Sequence, residues 1–468
     1  MVRRLLRRAR RLLAPRTASP PDADPQPAAS QSGPRIIPRS EHRISRANIS
    51  EQALKVLYRL KKAGYQAFLV GGCVRDLQLG REPKDFDVAT DARPEQVKEL
   101  FRNCRLIGRR FRLAHVHFGR DNIIEVATFR AQHEAGEGEG VMREGRILRD
   151  NVYGDIDQDV WRRDFTINAL YYDIGDFSIV DYVGGVEDLE RGIIRTIGDP
   201  EVRFREDPVR MLRAVRFAVK LGFRIDPEAE RQIQRLGHLL EEMPPARLFE
   251  EVQKLFLSGV ALQTFEMLRH YDLFGYLFPE VEAVLAQEEE GFPHMLVIQA
   301  LKNTDQRVAE GKPVTLAFLL AAFLWEALQA RESELQAQGH APMEALQLAA
   351  REVIGEQTRR VSIPRRISMF MKEVWTLQAR LARRTGKRVW RTLAHPRFRA
   401  AYDFLVLRAR VDDSLQELAD WWTSFQAAVP EEQRRLVAAL EKGDRPRRRR
   451  RRRRPAGGNG GEGAGESG

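Results

Sequence analysis

The stretch FLVGGCVRDLQLGREPKDFDVAT, residues 68–90, sets the strongest constraint on what this chain can become. An apolar run ends in Gly71 and Gly72, and a helix-forming segment opens directly behind them. Glycines at such a junction let the backbone approach a bulky anion, and the unpaired amides of a helix N-terminus favour phosphate. Fourteen residues on from Gly71, Asp85 and Asp87 stand one residue apart in a segment that reads as a strand, so both carboxylates leave the same face. Two acids on one face can share divalent cations such as Mg²⁺, which take oxygen ligands from one or two carboxylates plus substrate phosphates. A pair of such ions about 4 Å apart can activate an attacking hydroxyl and stabilise a leaving pyrophosphate. Alone, an Asp-x-Asp pattern is as much at home as two solvated acids on an edge strand. The glycine pair and the VRD before it favour nucleotidyl transfer.

Hydrophobic patterning divides the chain. From Asn48, NISEQALKVLYRLKKAGY places Ala53, Leu54, Leu57 and Leu60 at helical spacing, with Ser50 as N-cap and Gly64 as the stop. Short β-rich runs then alternate with helical ones as far as FSIVDYVGG, predicting an α/β or α+β head that ends near residue 190. Within it, HEAGEGEGVMREGRILRD, between Arg130 and Asn151, is too rich in glycine and charge to pack and is expected as a mobile loop. Beyond Arg195 only helical periodicity remains. At about 100–200 residues per domain, a chain of 468 residues needs more than one core. The expected divisions are a basic disordered N-terminal extension (1–48), the head (49–190), a helical neck (191–280), a helical body (281–430) and a disordered Arg-rich tail (431–468).

The net charge of +12 resides in the ends: residues 1–48 carry +8, residues 443–468 carry +6, and the remainder is near −2. Such ends attract polyanions through sequence-independent charge, and the Leu/Arg start also suits weak peripheral contact with anionic lipid. The start lacks the continuous apolar stretch of a secretion signal. Apolar runs are too short for a transmembrane segment, the longest, Leu316 to Trp325, suiting a buried helix. Two cysteines, Cys73 and Cys104, argue against a disulfide scaffold and for a reducing, cytoplasmic setting.

Other segments carry narrower signals. Arg162 and Arg163 precede Asp164 and suit phosphate, since guanidinium forks match its oxygens; ordinary ion pairing is the commoner fate of an Arg pair. In EDPVRMLRAVRF, a helix starting at Pro208 would carry Arg210, Arg213 and Arg216 every three residues as a cationic stripe. Asp207 could accept from a base amino group while Arg210 donates to a ring nitrogen; a capping Asp and solvated arginines is the plain alternative. Residues 365–391 interleave Arg365, Arg366, Lys372, Arg383, Arg384, Lys387 and Arg391 with Trp375 and Trp390, suiting RNA backbone and unpaired bases unless the tryptophans are core. A Walker A motif and an HD or HExxH pair are absent, and His115 and His117 read as strand residues rather than metal ligands.

In order along residues 50–280, GGCVRD, its spacing to DFD, EVATFR, RRDFTINAL and EDPVRMLRAVRFA resemble the motifs of class II nucleotidyltransferases, the bacterial poly(A) polymerases and CCA-adding tRNA nucleotidyltransferases. LFRNCRLIGRRFRLAHV, KNTDQRV, GKRVW and HPRFRAAYDFL are closer to the bacterial poly(A) polymerases and extend the similarity to about residue 425. The resemblance implies an α+β fold: a nucleotidyltransferase-type mixed β-sheet head followed by an all-α neck, body and tail. It implies that Asp85 and Asp87 bind two Mg²⁺ ions, or Mn²⁺ in their place. Asp164 is expected as the third carboxylate, with Glu125 the other candidate; the plain reading of Glu125 is a strand-edge acid paired with Arg130. Gly71, Gly72, Arg75 and Asp76, with Arg162 and Arg163, are expected at the triphosphate, and Asp207, Arg210 and Arg213 at the base. The implied activity is template-independent transfer of AMP from ATP to RNA 3′ ends, with RNA-decay proteins as further partners. A CCA-adding enzyme and an RNA-binding adaptor on an inactive head are the alternatives.

Overall fold

The computed structural model describes residues 33–108, 112–119, 122–131, 141–143, 146–149, 152–287 and 295–443. Its strands are β1 (Arg35–Ile37), β2 (Ala67–Val70), β3 (Asp87–Thr90), β4 (Cys104–Ile107), β5 (Leu113–Phe118), β6 (Asn122–Thr128), β7 (Val141–Arg143), β8 (Arg146–Arg149), β9 (Leu170–Asp173), β10 (Ile179–Asp181), β11 (Ile193–Ile194) and β12 (Arg224–Ile225). Eight of them form one mixed sheet in the order β1-β10-β9-β2-β3-β6-β5-β4, antiparallel throughout except where β3 runs parallel to β6.

The letters explain the layout. AFLV of β2 is a continuous apolar run because the strand lies between β9 and β3 with all four residues buried. One layer is the helix Glu51–Lys62, started by Ser50, whose hydroxyl accepts from the Ala53 amide at 3.1 Å. It buries Ala53, Val56, Leu57 and Leu60 and packs on β2, β3 and β6. A second core cluster gathers Phe68, Phe129 and Tyr171, with the Phe68 and Tyr171 rings perpendicular at 6.1 Å.

Five expectations about the layout need correction. The folded head begins before residue 49: β1 pairs with β10, His42 and Ile44 are buried, and the His42 Nε2 meets the Phe177 carbonyl at 2.8 Å. A three-residue strand beside prolines has no periodicity to detect, and its partner lies far along the chain. Part of the expected loop is an antiparallel hairpin of β7 and β8, and the short strand β12 joins β11 in a stretch expected to be wholly helical. No break falls at residue 280. The Phe323 ring packs on Phe256 and Phe278 at 5.4 Å, and the Gln357 side chain donates to the Leu277 carbonyl at 2.8 Å, so these helices continue the neck. The chain instead separates into two compact units after Ser368, and the expected disordered tail opens with a helix, Pro430–Gly443. The octa-arginine run and residues 1–32 lie outside the described residues.

In the second unit, Trp422 is fully buried and donates from Nε1 to the Leu381 carbonyl at 2.9 Å, while Trp421 stacks on Phe425 at 4.7 Å. Trp375 is 1% exposed and so is no surface platform for RNA bases, while Trp390 is partly buried against this core. Among the described residues, no helix is long and apolar enough to cross a membrane.

Candidate active site

Strand pairing assembles a row of polar groups from distant parts of the chain. Val70 stands opposite Asp87, Asp87 opposite Glu125, and Glu125 opposite His115, so the last three project from one face of the sheet. Because Gly71 follows Val70 directly, the glycine turn lies at the end of this row. Its φ of 77° is one that L side chains rarely adopt, and it caps the helix Gly72–Gln78. Strand β3 begins at Asp87, so Asp85 occupies the exposed approach to the strand rather than the strand itself.

The electrostatics of the row are unfavourable without a counter-charge. Burial pushes the Asp87 carboxyl up to about 6, with Glu125 and Asp85 adding to it and Arg163 opposing. The Asp87 carboxylate, with Glu125 and Asp85 near it, supplies the oxygen donors a hard divalent cation prefers, so the chemistry of these residues fits the metal that the fold implies. Among the described residues no three His, Cys, Asp or Glu side chains stand close enough together to hold a metal ion as they are placed. The His115 Nε2 lies 3.3 Å from the Glu125 Oε2 and gives that acid a neighbour on its far side. Cys73 and Cys104 are both free and buried, and burial pushes the Cys73 thiol up to about 12.

Beside the row lies Arg163. Its guanidinium donates to the Tyr171 hydroxyl at 2.7 Å and to the Asp159 Oδ2 at 2.9 Å, and Tyr171 donates to the same oxygen at 2.6 Å. A Cβ on Gly71 would stand 3.7 Å from the Arg163 Nη1, which places that cation at the mouth of the turn. Asp159 and Tyr171 were not singled out from the sequence, although Asp159 precedes Arg163 by four residues, the spacing of a helical ion pair.

Asp164, expected as the third carboxylate, is engaged elsewhere. Its Oδ1 accepts from the Phe165 amide at 2.9 Å and the Asn168 side chain at 3.1 Å; its Oδ2 accepts from the Arg213 Nε at 2.7 Å. Burial opposes its ionisation, but Arg213 and these hydrogen bonds hold the carboxyl at about 2. The in-register neighbour of Asp87 is Glu125, and Asp164 joins the head to the helix Val209–Leu221. Glu125 also has His115 close by, its Oε2 lying 3.3 Å from the ring Nε2.

Two more arginines depart from expectation. Arg75 is 3% exposed, donates to the Asn168 Oδ1 at 2.7 Å and the Asp76 Oδ1 at 2.8 Å, and lies over the Phe217 ring at 5.1 Å. It braces the fold behind the glycine turn, with Asp76 as its counter-ion, and is not presented to a triphosphate. Arg213 is paired with Asp164, and Arg216 lies 3.3 Å from Glu251, so the stripe is neutralised from neighbouring elements. Around Arg162 the balance is reversed. Burial, with Arg130 and Arg203 close by, lowers it to about 10, Glu206 opposing and Arg210 adding. Arg203, itself lowered to about 10 by burial and Arg210, donates to the Arg163 carbonyl at 2.7 Å. Crowded guanidinium groups beside an acidic row are complementary to a polyphosphate bridging the two.

Asp207 and Arg210 lie at the junction of the helices Pro200–Glu206 and Val209–Leu221. The helix begins at Val209, with Pro208 as its cap. The Asp207 Oδ1 accepts from the Val209 amide at 3.3 Å and its Oδ2 from Arg247. The Arg210 Nη1 donates to the Arg203 carbonyl and the Glu206 Oε2, both at 2.9 Å.

Comparison with known proteins bears on the family and the fold. Residues 67–195 match the family model described as the poly A polymerase head domain, residues 222–285 the probable RNA and SrmB-binding site of polymerase A, and residues 338–455 the polymerase A arginine-rich C-terminus. The crystal structure of the Bacillus stearothermophilus CCA-adding enzyme in complex with CTP superimposes with a TM-score of 0.52 at 28% identity, covering 83% of this chain and 82% of that one. The head therefore has the nucleotidyltransferase fold. A CCA-adding enzyme of Lactobacillus helveticus is 40% identical over 216 residues, 46% of this chain and 52% of that protein. Poly(A) polymerase I of Salmonella typhimurium is 52% identical over 418 residues, 88% of this chain and 90% of that protein. The chain belongs to the bacterial poly(A) polymerase I family.

Proposed function

We propose that this protein adds AMP from ATP to the 3′ hydroxyl of RNA without a template, releasing pyrophosphate. The observation that carries the reading is the Asp87–Glu125 register beside the Gly71 turn, in a chain whose similarity to poly(A) polymerase I extends over 88% of its length. Asp85, Asp87 and Glu125 would hold divalent cations, two Mg²⁺ or Mn²⁺ in their place. When bound, these supply activation of the attacking hydroxyl and charge neutralisation on the departing pyrophosphate. Gly71 and Gly72 leave room for the triphosphate, and Arg162 with Arg163 balances its charge. Tyr171 and Asp159 fix Arg163 so that its guanidinium needs little reorganisation when phosphate arrives. Asp207 accepts from the adenine 6-amino group and Arg210 donates to N1. The two free cysteines suit a reducing setting, and we place the protein in the cytoplasm.

Adenine and cytosine both present an amino group beside a ring acceptor, so this donor–acceptor pair alone does not separate ATP from CTP. The test is incubation with ATP and CTP separately, using an unstructured RNA and a tRNA trimmed of its terminal CCA. Long A tails on the unstructured RNA are expected. C addition confined to the tRNA would instead establish a CCA-adding activity, and incorporation of neither would leave an RNA-binding adaptor.

A further inference from the structure

We infer that Arg247 is a positioning residue for base recognition: it fixes the plane of the Asp207 carboxylate so that one oxygen faces the 6-amino group of the incoming adenine. The inference deepens the proposed function and rests on its assignment of Asp207 to the base. Asp207 lies between two helices, where a short side chain with a rotatable carboxylate would have several orientations. Two donors from different elements remove that freedom. The Val209 amide, at 3.3 Å, takes Oδ1, and Arg247, reaching across from the helix Pro245–Phe256, takes Oδ2. The groups are partly enclosed, with the Arg247 side chain 28% and the Asp207 side chain 16% exposed. An ionised carboxylate offers about four lone-pair sites, so each oxygen keeps acceptor capacity after these two bonds.

The Arg210 guanidinium has its own side-chain partner, Glu206. Its Nη1 is occupied by the Arg203 carbonyl and by Glu206, leaving Nη2 and Nε as donors for a ring nitrogen. The backbones of Asp207 and Arg210 are tied to one another, and both residues to the Arg203 carbonyl, but Arg247 grips the Asp207 carboxylate, so removing it should disturb chiefly the half that reads the amino group. Nothing in the sequence links position 247 to the Glu-Asp-x-x-Arg motif; the helix packing brings it there.

The experiment compares ATP with purine riboside triphosphate, which keeps N1 and lacks the 6-amino group, in the wild type and in Arg247→Met, Arg247→Lys and Asp207→Asn. The readout is the ratio of kcat/KM for the two nucleotides within each preparation, a ratio that is unchanged if part of the enzyme is unfolded. In Arg247→Met the preference for ATP should fall at least about tenfold, through KM more than kcat, while KM for the analogue stays near the wild-type value. Arg247→Lys, which keeps a charged donor, should recover most of the preference. An equal loss on both nucleotides, an unchanged ratio, or a lower KM for ATP in Arg247→Met would overturn the inference. If the wild type itself shows no preference, or Asp207→Asn leaves it intact, the assignment of Asp207 to the base fails first, and with it the premise of this inference.

Discussion

Asp87 and Glu125 stand opposite one another on parallel strands, two carboxylates side by side on one face of the sheet. The glycine turn and the guanidinium cluster are arranged around this pair. Without a cation the arrangement costs stability, and that cost is measurable.

Replacing Asp87 by Asn should stabilise the protein in chelator at neutral pH while abolishing AMP transfer. Burial and Glu125 push the Asp87 carboxyl up to about 6, and a raised acid pKa in the folded state means that the ionised form opposes folding. The cost is absent below the unfolded value of about 3.9 and fully present above the folded one. Allowing for partial exposure it is about 1–2 kcal/mol. Urea unfolding of the metal-free proteins at pH 7 checks it, and a variant no more stable than the wild type would contradict the like-charge account.

Asp85→Ala should lose transfer with little change in Tm or in RNA affinity, because Asp85 is exposed and outside the strand. A purified variant that still extended RNA would remove Asp85 from the site.

Arg213→Leu should be among the most destabilising single changes in the first unit. It leaves the enclosed Asp164 carboxylate without its charged partner, a loss of about 3–5 kcal/mol. Asp164 has a depressed pKa of about 2, so its stabilising contribution is present above the unfolded value of about 3.9 and lost as pH falls toward the folded one. Chemical denaturation from pH 7 to pH 3 should show the gap between wild type and variant closing at the acid end.

His42 staples the segment containing β1 to the head. Its Nδ1 accepts from the Ile44 amide at 3.2 Å, so the proton sits on Nε2, facing the Phe177 carbonyl. Burial lowers its pKa, with Phe177 opposing and Arg39 reinforcing. A base with a lowered folded pKa contributes stability above the unfolded value, about 6.5, and loses it as the solution becomes more acid. Amide exchange at Ile44 should accelerate between pH 7 and pH 5, and His42→Ala should cost about 1–2 kcal/mol at pH 7.5. Exchange independent of pH, after correction for intrinsic rates, would count against the staple.

Gly71→Ala should raise KM for ATP. The φ of 77° with ψ of −133° is strained for any L side chain, at about 1–3 kcal/mol, and the new methyl would point toward Arg163. Steady-state kinetics should show the larger effect in KM, and unaltered kinetics with unaltered Tm would mean that the turn is not held as described.

Residues 67–90 were legible because their chemistry is local. A buried strand, a glycine turn, a short helix and an acidic strand entry each follow from neighbouring letters, and the helix cap at Ser50 and the helical second half were readable in the same way. The cationic stripe and the tryptophan platform were read too literally, since helical spacing shows which side chains share a face but not what that face meets. Arg213 meets Asp164, Arg216 meets Glu251, and Trp375 meets the interior.

The sequence by itself determined the alternation of strands and helices in the head, the helical character of most of the second half, the glycine-carboxylate signature and the family resemblance, because periodicity and motif spacing are properties of contiguous residues. Only the tertiary structure decided that Glu125 rather than Asp164 neighbours Asp87, that Arg75 is a brace, that β1 belongs to the head, and that Arg247 reaches Asp207. Each of these joins residues far apart along the chain through strand register or helix packing, and the pairing is chosen by burial and charge summed over the whole core rather than by any local pattern.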